Sequence, residues 1–281
     1  MTRILGLGDN TVDVCVDAGV QYPGGNAVNV AAMCARLGAV TGYLGCVGDD
    51  DAGDLVRKAL TIEGVDLTRT RIRPGPNART YIGHLEGDRK FNGADPGVRA
   101  DYRWEEADFD YISIFDHVHT SIYGELGDAL PRIAASTRSL SFDLSNRWSP
   151  SYLTQVLPSV RFAFLSAPDM SGTNALSVAE DCLALGAETV VLNRGSGGAL
   201  GLDAQGPIYQ PALPTLLVDT LGAGDGFISG FIMEMLTGGS LCHAMKRGAE
   251  FAAMVCGWHG GFGHAAPSKG DTEVARWPTR N

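Results

Sequence analysis

Short apolar runs that are typical of strands alternate along this chain with longer segments that have helical periodicity. The strand-like runs lie at 4–8, 42–47, 140–144, 162–165 and 189–192, and the helical patterns include 26–37, 52–62 and 175–185. Such alternation is the pattern of βαβ units, in which helices cover a mostly parallel sheet. The sequence therefore predicts an α/β fold. Gly38, Gly64 and Gly186 are predicted to end their helices in a left-handed conformation.

One region interrupts this alternation. Residues 69–91 contain strand-like segments at 78–86 and 89–91, on either side of Gly87-Asp88, and show no helical pattern. We predict a β-hairpin that projects from the main sheet. Its arginine-rich composition suits either a solvent-exposed edge ribbon or a flap over a ligand. The last stretch, 265–281, is polar and is predicted to be a surface tail.

The composition argues against several classes of partner. The 281 residues include 22 Lys and Arg and 32 Asp and Glu, a formal net charge of -10, so a nucleic acid is not expected to bind. No charged leader precedes the first apolar run, and no apolar run approaches the length of about eighteen residues that a membrane span needs. A soluble, cytoplasmic protein without membrane contact is expected. The six cysteines are scattered singly and are expected to be reduced and buried.

A glycine-rich segment carries the strongest chemical signal. Residues 219–227 read Asp-Thr-Leu-Gly-Ala-Gly-Asp-Gly-Phe, after an apolar run at 216–218 that is predicted to be a strand and before a helical pattern. Small residues at a helix start leave N–H groups open to an anion, which the helix dipole also favours. Asp225 in the same turn is suited to accept the proton of a hydroxyl that attacks a phosphoryl group. In the structural alternative, Asp225 only complements the dipole and the glycines only permit close packing.

Two other phosphate-binding motifs fit this chain less well. A P-loop needs a lysine directly after its last glycine, and no lysine occupies that place. A dinucleotide fingerprint needs a third glycine, but the pattern that begins at Gly6 has Thr11 there and the one that begins at Gly222 has Phe227. Both interpretations are therefore weakened.

Polar side chains also gather after the first predicted strand and at the start of the helix that follows. They are those of Asp9, Asn10, Asp13, Asn26 and Asn29, and Gly25 directly precedes Asn26. Carboxylates and amides in such a place suit the hydroxyl groups of a sugar. The structural alternatives are turn formation by the aspartates, helix capping by Asn26 and a solvent-facing position for Asn29.

Two of these segments together resemble the signatures of the PfkB, or ribokinase-like, carbohydrate kinases. Residues 219–227 resemble the C-terminal signature, and residues 24–31 with Leu37-Gly38 resemble the N-terminal one. The resemblance covers essentially the whole chain. It implies a three-layer α/β/α ribokinase-like fold with a mostly parallel central sheet and a small β-rich lid. A single kinase domain would span 1–281, with the lid formed mainly by about 10–22 and 69–95.

The resemblance also implies roles for individual residues. Asp225 is the expected catalytic base, and Gly222, Ala223 and Gly224 form the expected anion hole. The residues expected to bind the sugar are Asp9, Asn10, Asp13, Gly25, Asn26, Asn29, Phe91 and Asp143. Asp143 belongs to this set because it ends a predicted strand on the ligand-binding edge of the sheet.

The nucleotide side departs from the family pattern in two places. Residues 189–199 resemble the strand and Gly-x-x-Gly turn beside the ATP phosphates, with Asn193 where threonine is commoner. The family's Asn-x-x-Glu element, which organises Mg²⁺, is replaced by Ser-Ala-Pro-Asp at 166–169, and Asp169 is the expected substitute for the Glu. Asp219 is a candidate for a K⁺-binding loop or for a turn cap. The residues expected to contact ATP are Asn193, Gly195, Gly198 and Ala249, of which Ala249 also fits a packed helix interface.

Within the family, several segments resemble the members that phosphorylate fructoselysine at carbon six. These segments are 8–13, 47–51, 116–119, 142–148 and 166–168. We therefore expect ATP-dependent phosphorylation of a primary hydroxyl of a sugar derivative, with a fructosamine as substrate. Kinase action on another small sugar, a sugar acid or a nucleoside is one alternative, and a non-catalytic protein that senses sugar or nucleotide is another. A homodimer that pairs through the lid and a monomer both fit the pattern.

Two further groups of residues have structural interpretations. His117 and His119 share one face of a predicted strand, and no nearby cysteine or carboxylate completes a metal site, so buried or edge positions are expected in place of a metal site. Asp49, Asp50 and Asp51 precede a helix and are expected to cap it.

Overall fold

The computed structural model describes residues 1–85 and 88–268. In chain order the strands are β1 (Arg3–Gly8), β2 (Thr11–Cys15), β3 (Val20–Gly24), β4 (Val40–Gly48), β5 (Arg71–Arg73), β6 (Arg79–Leu85), β7 (Asp88–Asp95), β8 (His117–Ser121), β9 (Leu140–Asp143), β10 (Phe162–Ser166), β11 (Thr189–Asn193), β12 (Ala199–Asp203), β13 (Gly206–Gln210) and β14 (Ala266–Pro267). The α-helices are α1 (Asn26–Arg36), α2 (Asp51–Ile62), α3 (Glu106–Ser113), α4 (Leu130–Ser136), α5 (Pro150–Val156), α6 (Gly172–Ala184), α7 (Ala223–Leu236) and α8 (Leu241–Val255).

Nine strands form a central sheet in the order β13-β12-β11-β10-β9-β8-β1-β4-β5. The pairs from β5 to β11 are parallel, and β12 and β13 add an antiparallel edge. The predicted α/β fold with a mostly parallel sheet is therefore confirmed. The chain leaves β1 toward β4 on one side and later toward β8 on the other, so β1 marks the point where the strand order reverses. In open α/β sheets, ligands bind in the crevice at the carboxyl ends of strands at such a point.

Helices cover both faces of the central sheet because successive side chains of a strand point to opposite faces. Leu5 and Leu7 of β1 are buried in a core with apolar residues of α3, α4, α5 and α6. Ile4 is buried in a second core with residues of α1, α7 and α8. The first turns of α1 and α7 therefore lie on the same side of the sheet, which is the side of the candidate site.

A five-stranded small sheet has the order β14-β3-β2-β6-β7. Its strands β2, β3, β6 and β7 come from the segments that were expected to form the lid. Arg79 of β6 forms a 2.8 Å ion pair with Asp50, which caps α2 by accepting a hydrogen bond from Gly53 N. This contact ties the small sheet to the body of the protein, and it agrees with the predicted cap.

Some local predictions were wrong. Residues 216–218 form no strand, and Leu216 is 83% exposed. The backbone N–H groups of Val218 and Asp219 donate to Cys256 O at the end of α8 and are not paired in a sheet. The segment 71–73 pairs with β4 of the central sheet and is not part of the hairpin. Within the predicted tail, Ala266 and Pro267 form β14, which pairs with β3.

Other local predictions have mixed outcomes. Gly38, Gly64 and Gly186 have φ values of 92°, 77° and 120°, as predicted for helix ends. Of the six cysteines expected to be buried, Cys34, Cys46 and Cys182 are buried, Cys15 and Cys256 are half-buried, and Cys242 is exposed on α8. The turn predicted at Gly87-Asp88 and the tail beyond residue 268 lie outside the described residues in whole or in part. No helix in the described part of the chain is long and apolar enough to cross a membrane.

Candidate active site

The candidate site lies where β1 and its neighbours end and where two helices begin. Asp9 directly follows β1, Ser121 ends β8 and Asp143 ends β9. Asn26 is the first residue of α1, and Asp225 lies in the first turn of α7. Parallel strands place their carboxyl ends at one edge, so residues far apart in sequence converge there.

Asp225 is held by two amide side chains of α1. Its Oδ1 accepts from Asn26 Nδ2 at 2.7 Å, and its Oδ2 accepts from Asn29 Nδ2 at 2.6 Å. Burial raises the pKa of Asp225 to about 7, although these two hydrogen bonds act to lower it, and the charge of Asp9 raises it further. A carboxyl group with a pKa near neutrality is suited to exchange a proton with a hydroxyl.

Asn26 connects Asp225 to two other elements. Its Nδ2 also donates to Asp143 Oδ2 at 3.0 Å, and its Oδ1 lies 2.7 Å from His119 Nε2. Burial raises the pKa of Asp143 to about 7, with further contributions from the charges of Asp225 and Asp9 and an opposing hydrogen bond from Ser145 N. The Asn26 side chain is thus part of a network, in addition to its place at the start of α1.

Asp9 fixes the start of α1. Its Oδ2 accepts from Asn26 N at 2.7 Å, and its Oδ1 accepts from Ser121 Oγ at 2.7 Å. Gly25 precedes the helix with a φ of 104°, and a Cβ atom there would lie 2.6 Å from Asn10 Cα. Only glycine permits this left-handed close approach. The Asp9 carboxylate therefore holds the first backbone N–H group of α1. The structural alternatives were turn formation by Asp9 and helix capping by Asn26, and this contact of Asp9 with the helix start was not among them.

The remaining sugar-site candidates lie in different environments. Asn10 is fully buried and donates to Tyr43 Oη at 3.0 Å and to Cys46 O at 2.6 Å, while its Oδ1 has no hydrogen-bond partner among the described residues. Asp13 of β2 is buried, with its carboxylate against Gly24. Phe91 of β7 is 68% exposed, and the structure does not bring it into the Asp225 network.

The first turn of α7 faces open space. Gly222 caps the helix with a φ of 76°, and a Cβ atom there would lie 2.6 Å from Gly261 Cα. At Gly224, by contrast, a Cβ atom would meet nothing within 4 Å. The first N–H groups of a helix have no partner inside it. Ala223 N already donates to Thr220 O at 3.2 Å, so the remaining N–H groups of this turn and the positive end of the dipole are what it offers to an anion beside Asp225.

The same combination of residues characterises a known family. The model of the pfkB family carbohydrate kinases matches residues 6–266. The chain belongs to this family. The kinase is 34% identical over 262 residues to the fructoselysine 6-kinase of Escherichia coli (strain K12), which covers 93% of this chain and 100% of that relative. It is 36% identical over 270 residues to the fructosamine kinase FrlD of Bacillus subtilis (strain 168), which covers 94% of each chain.

The structural comparison agrees with this assignment at the level of the fold. The ribokinase of Arabidopsis thaliana, solved in complex with ribose and ATP, has a TM-score of 0.80 and 19% identity to this kinase, with 95% of this chain and 96% of that chain covered. The family and the ribokinase-like fold inferred from the sequence motifs are both confirmed.

The nucleotide-side residues of this pfkB kinase lie around the ends of β10 and β11. Asn193 ends β11 and accepts through its backbone O from Ala167 N at 2.8 Å. Gly195 and Gly198 enclose a turn with φ values of 55° and 82°. Asp169 is exposed in the turn after β10. Ala249 is buried in the core between α7 and α8, which agrees with the packing interpretation and leaves its contact with a nucleotide a prediction.

Asp219 joins two loops of the kinase. Its Oδ1 accepts from Leu221 N at 3.0 Å, and its Oδ2 accepts from Gly260 N at 3.0 Å. The neighbouring Gly261 packs on Asn29, where a Cβ atom would lie 2.8 Å from the amide group. The loop around Gly260 therefore links Asp219 to the side chain that holds Asp225, a connection that the sequence pattern did not indicate.

Sequence reasoning missed three other contributors to the kinase site. Tyr43 donates to Gly8 O at 2.9 Å and accepts from Asn10, which fixes the chain as it leaves β1. Ser121 bonds to Asp9 and His119 bonds to Asn26. The sequence signal for Ser121 was its position at the carboxyl end of a strand. His119 also lay in the segment 116–119, which resembles the members that phosphorylate fructoselysine. His117 and His119 are buried, as expected.

Proposed function

We propose that this protein transfers the γ-phosphoryl group of ATP to a primary hydroxyl of a fructosamine such as fructoselysine, at carbon six. The observation that carries the proposal is Asp225, a carboxyl group with a pKa near 7 that lies beside the open first turn of α7. The names of the Escherichia coli and Bacillus subtilis relatives, which match nearly the whole chain, support a fructosamine as substrate.

In the proposed reaction, the sugar hydroxyl attacks the γ-phosphate in line and Asp225 accepts its proton. The N–H groups of the turn formed by Gly222, Ala223 and Gly224 stabilise the negative charge on the phosphoryl oxygens, together with the helix dipole. Asn26 and Asn29 keep both carboxylate oxygens of Asp225 in place, which supports the orientation that proton transfer needs.

The sugar would be oriented at the carboxyl edge of β1. The residues proposed to bind it are Asp9, Asn10, Asp13, Gly25, Asn26, Asn29, Asp143 and, from the small sheet, Phe91. Above about pH 7, where Asp143 and Asp225 are ionised, the four aspartates Asp9, Asp13, Asp143 and Asp225 give this edge an excess of negative charge. A fructosamine carries a secondary ammonium group, whereas free fructose is neutral, so this charge favours the fructosamine.

Arg99 is a candidate contact for the amino-acid part of fructoselysine. Its Nη1 donates to Asn10 O at 3.2 Å, and its Nε is buried without a hydrogen-bond partner among the described residues. A guanidinium group suits the α-carboxylate of the lysine moiety because its planar donors match carboxylate geometry.

ATP would lie across the ends of β10 and β11, with Asn193, Gly195, Gly198 and Ala249 as its proposed contacts. Among the described residues, no group of three or more His, Cys, Asp or Glu side chains could hold a metal ion. Mg²⁺ commonly takes its ligands from nucleotide phosphates, water and one or two carboxylates, and an exposed Asp169 fits that use. Mg²⁺ would neutralise charge on the phosphates. The loop of Asp219 is the proposed K⁺ site.

The proposal extends to the organisation of the protein. One kinase domain spans 1–281, and the small sheet acts as a lid that excludes water from the reacting groups. ATP is a cytoplasmic substrate, so the proposed location is the cytoplasm. A homodimer paired through the lids is the proposed assembly, and sedimentation would distinguish it from a monomer.

The test is an ADP-release assay with Mg-ATP and a panel of acceptors: fructoselysine, glucoselysine, fructose, ribose and ketodeoxygluconate. We expect fructoselysine to give the highest kcat/KM. Asp225→Asn should lower kcat by about 1,000-fold while both substrates still bind in calorimetry. Release with another acceptor alone would reassign the substrate. If no acceptor supports ADP release, the chain is better described as a sensing protein, a possibility raised by the replacement of the Asn-x-x-Glu element at 166–169.

A further inference from the structure

We infer that His119 is a positioning residue of the phosphoryl transfer, which fixes the amide of Asn26 and through it the carboxylate of Asp225. This inference rests on the proposed role of Asp225 as the base. It comes from a buried chain of hydrogen bonds that runs from the candidate site into the central sheet along β8 and β9.

The chain of hydrogen bonds is continuous over five side chains. Asn26 Oδ1 lies 2.7 Å from His119 Nε2, and His119 Nδ1 lies 2.7 Å from Ser141 Oγ. Ser141 Oγ also lies 2.8 Å from His117 Nε2, and His117 Nδ1 lies 2.9 Å from Ser139 Oγ. Both histidines and Ser141 are fully buried, so water does not compete for these bonds.

The carboxylates at the site determine the direction of this chain. When Asp225 and Asp143 are ionised they only accept hydrogen bonds, so the Asn26 group facing them is its NH₂. The Asn26 oxygen then faces His119 and needs a donor, which makes Nε2 the protonated nitrogen of that ring. A flipped Asn26 would place its oxygen against two carboxylates and its NH₂ against His119.

The rest of the chain follows from that first assignment. A neutral His119 with its proton on Nε2 accepts at Nδ1 from the Ser141 hydroxyl. Ser141 Oγ in turn accepts from His117 Nε2, and His117 Nδ1 accepts from Ser139. His119, Ser141 and His117 thus each donate once and accept once along the chain, and this direction satisfies every contact while the two carboxylates are ionised. Burial lowers the pKa of His119 to about 3, and that of His117 well below its usual value, which keeps both rings neutral.

The functional consequence concerns the proton that Asp225 exchanges. Without the His119 donor, the Asn26 amide can rotate and Asp225 loses one of the two donors that stabilise its charged form. The pKa of Asp225 then rises, and less of the base is ionised at neutral pH. A residue that served only to fill space beside Phe164 would not change this pKa.

Three variants separate the two roles. His119→Phe keeps an aromatic ring beside Phe164 but has no donor, whereas His119→Gln can place an NH₂ group near the position of Nε2. His117→Phe is the matched control on the same face of β8, since it leaves the bond between His119 and Ser141 in place. Thermal unfolding of each variant shows whether it is folded. If the Phe variants do not fold, the single variants His119→Gln and Ser141→Ala are compared in their place.

We expect His119→Phe to lower kcat by about 10- to 100-fold, by analogy with the outer partners of metal ligands. The acid limb of its kcat profile should move to higher pH with little change in the KM for ATP. His119→Gln should restore most of the activity, and His117→Phe should cause a smaller loss. A reduced kcat with an unshifted acid limb, or full activity in His119→Phe, would overturn the inference.

A measurement that does not depend on turnover separates this inference from the proposed function. ¹⁵N NMR of histidine in the unliganded protein should show neutral rings protonated on Nε2 in both His119 and His117 at pH 8 to 9, where Asp225 and Asp143 are ionised. ¹³C NMR of the Asp225 carboxyl should show a higher titration midpoint in His119→Phe. A proton on Nδ1 of His119, or an unchanged midpoint, contradicts the inference. Absence of ADP release by the wild-type protein contradicts only the proposed function.

Discussion

Asn26 Nδ2 lies 2.7 Å from Asp225 Oδ1 and 3.0 Å from Asp143 Oδ2, so one amide group donates to two carboxylates from different elements. Asp143 ends a strand of the central sheet and Asp225 begins a helix. Burial raises the pKa of each to about 7. The protonation of this pair therefore changes in the range of pH where the enzyme is proposed to work.

The first prediction concerns the pH dependence of turnover. Asp225 must be ionised to accept a proton, and burial raises its pKa to about 7. We expect kcat to rise with pH, by about tenfold per unit well below pH 7, and to level off above it. Initial rates from pH 5 to 9 at saturating fructoselysine and Mg-ATP measure this limb. A rate independent of pH down to pH 5 would contradict the assignment of the base.

The second prediction concerns the charge of Asp9. This carboxylate raises the pKa of Asp225, so Asp9→Asn should move the acid limb of kcat to lower pH. The variant should also lose about 0.5–1 kcal/mol of stability because Asp9 accepts from Asn26 N at the start of α1. Asp110→Asn, at an exposed carboxylate of α3, is the control and should leave the limb in place. A limb that moves equally in both variants would point to an effect of net charge.

The third prediction concerns stability. The folded pKa of Asp143 is about 7, above its unfolded value, so between about pH 4 and 7 the folded state binds the proton more tightly. This group's contribution to the free energy of unfolding therefore falls as pH rises through that window. Asp143→Asn has no carboxyl group at this position and so avoids this loss. As pH rises from 4 to 8, the free energy of unfolding of the variant should increase by about 2–4 kcal/mol relative to that of the wild type. Urea unfolding at several pH values checks this, and parallel curves would contradict it.

The fourth prediction compares two glycines of the α7 turn. Gly222→Ala should lose about 2 kcal/mol or more of stability, because its φ is positive and the new methyl group meets Gly261. Gly224→Ala should be as stable as wild type or gain about 0.5–1 kcal/mol, because it replaces a glycine inside a helix with open space around it. If this turn binds phosphate, Gly224→Ala should nevertheless lower kcat. Full activity in that variant would remove Gly224 from the proposed anion hole.

The fifth prediction concerns Arg99. Its guanidinium is the proposed partner of the substrate's α-carboxylate. Arg99→Gln should therefore raise the KM for fructoselysine by about tenfold, because the variant loses one charged hydrogen bond to the substrate. The KM for a fructosamine made from an alkylamine, which lacks that carboxylate, should change little. Comparison of the two acceptors isolates the contact between Arg99 and the α-carboxylate. An equal rise in KM for both acceptors would mean that Arg99 acts only by holding the backbone of Asn10.

The sequence predicted the elements whose signals are local. Helices α1 and α7 have glycines before their first turns and apolar residues at helical spacing, and both form where expected. The convergence of Asn26 with Asp225 was predicted only through the family resemblance, because 199 residues separate them. Periodicity alone gives the faces of these helices and does not indicate that their first turns meet.

The contacts that sequence reasoning missed depend on the strand order. His119 reaches Asn26 because β8 lies next to β1, and nothing in the local sequence indicates that neighbour. The apolar run at 216–218 satisfies a strand pattern, but Val218 N and the following Asp219 N donate to Cys256 O at the end of α8. The strand prediction failed because apolar content does not indicate that this backbone bonds to a helix end.

The pairing of Ala266 with Gln21 joins positions near the two ends of the chain, and β14 forms the outer edge of the small sheet. During synthesis, β2 and β3 emerge from the ribosome well before β14, because β14 follows all the other strands in the sequence. Contacts between such distant segments form late and slowly in folding. The small sheet therefore acquires the strand at this edge only after every strand of the central sheet has been synthesised.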